Sequence, residues 1–232
     1  MRGPRVRSVN VAVPAVSRRG EAVTSAIDTT SAIDTTSGID KRPAKRIEVR
    51  APAGGVGSGS GVLGDRIGNP RHHGGADKAV YAFSREELDV WEGILGRRLS
   101  DGMFGENLTT AGIDLEGLLI GQRLRVGDEV VLEVSLPRQP CATFQRHLGE
   151  RGWVRRFTEH GRCGTYLRVR APGTVRPGDV IEVLDGPGHG VDVLTAFAAA
   201  MGDDAAAARV VEARCLPERY HDRLARRLVA RG

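Results

Sequence analysis

From Gln122 to Ser135 apolar and polar residues alternate with a period of two. Val130, Leu132 and Val134 share one face of a strand, Gly127-Asp128 supplies the turn before it, and Pro137 and Pro140 end it, because proline cannot donate to a sheet ladder. The same alternation sets Thr165, Leu167 and Val169 opposite Tyr166, Arg168 and Arg170, and Pro177-Gly178-Asp179 turns the chain into a strand over 180–183. Ile47 and Val49, flanked by Glu48 and Arg50, predict a short half-buried strand, and Ala79 to Phe83 predict another. Residues 51–61, rich in Ala, Gly, Ser and Pro, read as a loop.

The period changes to that of a helix after Phe83. Ser84 has the chemistry of an N-cap, Glu87 stands three residues on as in a capping box, Leu88, Trp91 and Leu95 fall on one face, and Gly96 stops the helix. Residues 142–160 read as helical and amphipathic. Past Gly186-Pro187-Gly188 come three short helical stretches, at 192–201, 204–213 and 217–230, with Asp192 and either Asp203 or Asp204 as caps and Pro217 in the third first turn. The fold class expected is α+β, mainly β. It comprises a strand-rich body over 36–185, closed as a barrel with peripheral helices, and a small three-helix domain over 186–232. Residues 1–35 are expected to form a flexible N-terminal extension. Within residues 24–40 a six-residue unit, TSAIDT, repeats nearly three times; this is too short for a solenoid and reads as a duplication lengthening the loop beside Lys41.

Composition narrows the function. No apolar run approaches the roughly 18 residues of a membrane span, and the arginines near Met1 are not followed by the apolar stretch of a secretory leader. Three cysteines, none in a C-x-x-C pair, suit a reducing compartment, so a cytoplasmic location is expected. The net charge of +5 resides wholly in residues 1–60, while residues 61–232 are neutral, which argues against a nucleic-acid-binding face. The chain uses 31 arginines and three lysines, so Lys41, Lys45 and Lys78 stand out, either as chosen anion ligands or as drift at surface positions.

Three segments carry candidate chemistry. Arg71-His72-His73-Gly74-Gly75-Ala76-Asp77-Lys78 sets two glycines between a histidine and a lysine, which suits an anion approached by backbone N–H groups, or else a polar hairpin; its paired histidines lack a third metal ligand at usual spacing. Phe104-Gly105-Glu106-Asn107-Leu108-Thr109-Thr110 packs polar side chains that either line a heterocycle site or brace a turn. In Leu136-Pro137-Arg138-Gln139-Pro140-Cys141 two prolines stiffen a loop that ends in a thiol. Arg138 is placed to favour the thiolate or to grip a phosphate, and the alternative is a structural cysteine. Cys163 and Cys215 read as packing or surface thiols.

Taken together these segments resemble the MOSC domain family, and within it the YiiM-type bacterial subgroup. The matching stretches are Gly38 to Pro43, His73 to Val80, Phe104 to Thr110, Pro137 to Cys141, and Gly164 to Val169 with Pro177-Gly178-Asp179, in the family's order over about residues 36–185. The resemblance implies a β-barrel-like fold that binds the pterin-based molybdenum cofactor. It makes Cys141 the metal ligand and places Lys41, His73, Gly74, Gly75, Lys78, Asn107, Thr109 and Arg138 around the cofactor. The activity implied is reduction of N-hydroxylated, purine-like bases. The cofactor performs the chemistry, and a separate electron-donor protein is needed because no G-x-G-x-x-G fingerprint is present. The alternative is a cofactor carrier or sulfur-handling module with Cys141 as sulfur carrier. Pyridoxal phosphate enters the family through the cofactor sulfurases, but no such domain accompanies this chain. The helical tail is expected either to dock on the barrel or to pair two copies as a homodimer.

Overall fold

The computed structural model describes residues 3–12, 38–68 and 73–231. Most of the TSAIDT repeat, together with Arg71 and His72, lies outside the described residues. In chain order the elements are β1 (Arg5–Ala12), β2 (Lys41–Ala44), β3 (Ile47–Val49), β4 (Val80–Ser84), α1 (Arg85–Leu95), β5 (Leu108–Ala111), β6 (Arg123–Val126), β7 (Val130–Pro137), α2 (Ala142–Leu148), α3 (Trp153–His160), β8 (Thr165–Ala171), β9 (Gly173–Val175), β10 (Ile181–Val183), α4 (Val193–Met201), α5 (Asp204–Ala213) and α6 (Glu218–Val229). A 3-10 turn over Ala76–Lys78 precedes β4.

Eight strands form one sheet in the order β10-β6-β7-β8-β4-β5-β1-β2, and β3 pairs with β9 in a second. All pairings are antiparallel except β4 with β5, which α1 joins as a crossover. Strand pairing does not close this sheet into the expected barrel. Only an isolated bridge, Arg5 to Val180, ties β1 to the turn ahead of β10, helped by Val6 N–H to Asp179 O at 2.8 Å and Ile181 N–H to Pro4 O at 2.9 Å. Gly178 N–H to Val6 O at 2.8 Å adds a third backbone link between β1 and that turn.

One further expectation is corrected. Residues 5–12 are not part of an extension but a strand inside the sheet, between β5 and β2. Their pattern is hidden because the inward face carries Ser8 and Asn10, both buried, and a bulge between Val6 and Ser8 shifts the register. The helical segment expected over 142–160 forms as two helices, α2 and α3, because Gly149 and Gly152 both adopt left-handed backbone (φ 71° and 68°).

The three C-terminal helices form where expected, capped by Asp192 on Thr195 N–H (2.7 Å) and Asp203 on Ala206 N–H (2.9 Å). They do not make a separate domain. Val193, Phe197, Val210 and Leu224 join the one hydrophobic core that fills the sheet, and Val193 N–H donates to Leu118 O at 2.9 Å. Ser84 caps α1 as expected, accepting from Glu87 N–H at 3.2 Å. The reciprocal half of the capping box is missing, because the Glu87 carboxylate is drawn to His160 and Arg162, each at 2.6 Å.

An aromatic cluster locks the helices to the sheet. Phe104 is fully buried, with ring centres of Phe83, Phe144 and Trp153 at 4.9, 5.0 and 5.4 Å. Because this ring joins β4, α2 and α3 at once, Phe104→Ala is expected to cost about 3–5 kcal/mol in denaturant unfolding. A loss below about 1 kcal/mol would show that the cluster does not carry the packing.

Candidate functional site

β7 ends at Pro137, and the next four residues run along the wall of a cleft of about 850 Å³. Opposite lie the 3-10 turn, the ends of β4 and β8, and one face of α6. Lys41, His73, Gly74, Lys78, Asn107, Arg138 and Cys141 all line this cleft, so seven residues from distant parts of the sequence meet at one place. Gly75 and Thr109, expected beside them, do not reach it.

The glycines act differently from the expectation. Gly75 N–H donates to Gly59 O at 2.9 Å, Ala76 N–H to Gly54 O at 3.0 Å and Lys78 N–H to Gly75 O at 3.0 Å, so none of these groups is aimed at a ligand. Both Gly74 and Gly75 have positive φ, and a side chain on either would strike the 54–59 loop. Their role is close packing of two loops, which holds His73 and Lys78 in position. Thr109 lies beneath the cleft floor, donating to Glu106 (2.8 Å) and accepting from Asn10 (3.0 Å).

That floor is a polar network that sequence reasoning missed. Asp65 gathers it: its carboxylate accepts from Ala12 N–H (2.9 Å), Asn107 Nδ2 (2.9 Å), Ser60 Oγ (3.1 Å) and the Lys41 ammonium. Lys41 is only 6% exposed, and burial lowers its pKa against the pull of Asp65. Burial pushes the Asp65 carboxyl up, but Lys41 and the other donors together hold it below the ordinary range. Lys41 is therefore largely neutralised by its partner. Asn107 also accepts from Tyr81 N–H at 3.2 Å, which fixes its amide. Glu106, fully buried, accepts from Gly102 N–H (2.6 Å), Phe104 N–H (3.0 Å) and Thr109; burial nonetheless raises its pKa to about 7.

The cationic walls are built on aromatics. The Arg138 guanidinium, 4% exposed, stacks 3.9 Å from the Phe144 ring centre and 5.4 Å from that of Tyr81. Lys78 Nζ lies between Tyr166 (5.3 Å) and Tyr220 (5.4 Å). Burial first, then Arg219 and Arg138, lower its pKa to about 8. Arg66, Arg146, Arg219, Arg223 and Arg227 also line the cleft, against the single carboxylate of Asp65 among the described residues. The signal for the α6 contribution was in the sequence: Leu216, Arg219, Tyr220, Arg223, Leu224 and Arg227 follow helical spacing and share the cleft face.

Cys141 is half-buried at the N-cap position of α2, and its side chain makes no capping hydrogen bond. Cys163 is the opposite case, fully buried with Sγ 3.1 Å from Gly164 O, and burial drives its thiol well above the ordinary range. Cys215 is likewise raised by burial. Among the described residues no three His, Cys, Asp or Glu side chains converge to hold a metal. No helix among them is long and apolar enough to cross a membrane.

A sheet-and-helix body thus carries a cationic, tyrosine-walled cleft with a half-buried thiol in its lining. The chain belongs to the MOSC domain family, whose model matches residues 69–182. It is 39% identical over 153 residues to the YflK protein of Bacillus subtilis (strain 168), covering 66% of each chain. It is 35% identical over 133 residues to a protein of Gibberella moniliformis named a reductase, covering 56% of this chain and 24% of that one. The match thus spans just under two thirds of the first relative's length and about a quarter of the second's. The crystal structure of YiiM from Geobacillus stearothermophilus shares the fold, with a TM-score of 0.72 over 97% of this chain and 99% of that one, at 23% identity.

Two measurements test the floor. Asp65→Ala strands the Lys41 charge and is expected to cost roughly 3–5 kcal/mol, while removing both charges together (Lys41→Met with Asp65→Leu) recovers most of that loss. Additive losses in the two-site variant would show that the pair is not coupled. For Glu106, the unfolded carboxyl ionises near 4.5 and the folded one near 7, so between these values the unfolded chain binds fewer protons and this contribution falls as pH rises. The stability advantage of the native chain over Glu106→Gln should therefore shrink from about pH 5 to about pH 7. Parallel pH profiles of the two proteins would contradict the raised pKa.

Proposed function

We propose that this chain is an oxidoreductase that holds the molybdenum cofactor in the cleft and reduces N-hydroxylated, purine-like compounds, with electrons from a separate donor protein. The observation that carries the reading is that Cys141, a soft ligand, lines the same cleft as Arg138, Lys78, His73 and Asn107. The donor chemistry fits the group. A thiolate suits a high-valent metal, a guanidinium and an ammonium suit a phosphate, and a fixed amide suits the edge of a pterin. The reductase name of the fungal relative supports the same direction.

When bound, the cofactor supplies a two-electron centre that accepts the oxygen of an N–OH group. Overall, the hydroxylamine takes two electrons and two protons and leaves as amine and water. The protein's own parts bind and orient. Cys141 presents Sγ from a loop stiffened by Pro137 and Pro140, so the ligand atom is held without help from a capping bond. Arg138 keeps its charge fixed by stacking on Phe144. Lys78 remains protonated at neutral pH yet gives up its proton more readily than a free lysine, since its pKa has fallen to about 8. The electron donor is a partner because the sequence holds no nicotinamide or flavin fingerprint.

Elemental analysis and a reduction assay on the full chain test this. Protein made in cofactor-competent cells should carry about one molybdenum per chain and, with a chemical or protein donor, reduce an N-hydroxylated purine. Cys141→Ser should lose activity by on the order of a hundredfold or more, at unchanged fold. Absence of molybdenum with sulfane sulfur bound at Cys141 would overturn the proposal in favour of sulfur handling. Full activity in Cys141→Ser would overturn the ligand assignment.

A further inference from the structure

The α6 wall of the cleft carries charge that the cofactor reading does not use. Arg219 and Arg223 stand one turn apart on the cleft face, with Tyr220 between them. Two like charges at this spacing repel, and a nearby carboxylate would ordinarily offset them. The acidic residues of α6, Glu218 and Asp222, do not line the cleft. Among the described residues Arg219 and Arg223 make no ion pair or hydrogen bond. Arg227, one turn further, shows the contrast. It donates to Ala199 O (2.8 Å) and Asp203 O (3.2 Å) and pairs with Asp204 (3.2 Å), clamping α6 to α4 and α5.

Depth separates this pair from the cations already assigned. Lys41 and Arg138 are buried at the base of the cleft, whereas Arg219 and Arg223 are exposed at its rim. Across from them Lys78 approaches Tyr220 within 5.4 Å of the ring centre. A planar ring facing tyrosine, with a doubly charged oxyanion held by two guanidinium forks, fits Tyr220, Arg219 and Arg223.

Resting on the reductase reading, we infer that the substrate is a phosphorylated heteroaromatic compound, a nucleoside monophosphate carrying the N–OH group, and that Arg219 and Arg223 bind its phosphate while Tyr220 faces its ring. The arginines act as specificity-determining residues: they select phosphorylated substrates over the neutral nucleoside or base and leave the reacting group to the cofactor end of the cleft.

The test is a binding measurement that needs no turnover. Calorimetric titration of the full, cofactor-loaded chain with adenosine 5′-monophosphate and with adenosine should show the phosphorylated ligand binding at least about tenfold more tightly, a preference that weakens with salt. The double variant Arg219→Ala with Arg223→Ala should lose that preference and keep its affinity for adenosine. Arg209→Ala with Arg226→Ala, which removes two exposed charges away from the cleft, should keep it. Equal affinity for the two ligands in the native chain overturns the inference. So does an unchanged preference in the double variant, or loss of molybdenum from it with the preference intact, which would assign the pair to the cofactor's own phosphate. If the native chain shows the preference but carries no molybdenum and reduces nothing, the reductase reading fails and the phosphate subsite stands.

Discussion

The cleft depends on a buried carboxylate. Asp65 accepts hydrogen bonds or an ion pair from the end of β1, from Lys41 on β2, from Asn107 ahead of β5 and from Ser60 in the loop between β3 and β4. Each of these donors would carry a desolvation cost of its own if left alone in the interior. Together they make one charge-balanced node, and that node fixes the relative positions of segments that are far apart in the chain. The floor of the cleft is held by polar groups that partner one another, while the core that joins the helices to the sheet is held by the apolar, close-packed Phe104 cluster.

This node also settles where the cleft's charge is available. Residues 61–232 are neutral as a set, so a patch of strong positive potential is not implied by composition. Folding creates one by sorting. Acidic residues elsewhere pair with arginines, as Glu133 does with Arg168 and Arg170, while Arg138, Lys78 and the α6 arginines converge on the cavity with Asp65 as the one carboxylate among the described lining residues. Because Asp65 is spent on Lys41, it does not quench the others. In a recess with low-dielectric walls such charges act over a longer range than on an open surface.

Much of this was legible in the sequence where local rules govern. The strands with alternating apolar faces, the cap at Ser84, the stop at Gly96 and the three tail helices follow from periodicity and capping chemistry alone. The cysteine loop and the Lys78 turn stood out by composition and do meet in space. What stayed hidden was hidden for physical reasons. β1 turns Ser8 and Asn10 inward, so its buried face does not read as apolar. Asp65 sits in an unremarkable Gly-Asp pair, and apart from Ser60 its partners lie 24 to 53 residues away. How β1 meets the turn ahead of β10, by an isolated bridge and loop hydrogen bonds rather than a strand pair, is encoded by no alternation pattern.

The two glycines show why residue type and residue role have to be argued separately. Gly74 and Gly75 were attractive as an anion cradle because glycine lets backbone N–H groups approach a ligand. Here Gly75 donates inward to Gly59, and the absence of side chains admits the 54–59 loop. The anion-binding capacity lies on the side chains that this packing positions, with Lys78 held between Tyr166 and Tyr220. At Lys78 a compact ammonium approaches two rings, and at Arg138 a planar guanidinium lies over the face of one. The scarce lysine and the abundant arginine thus present the same charge in different shapes.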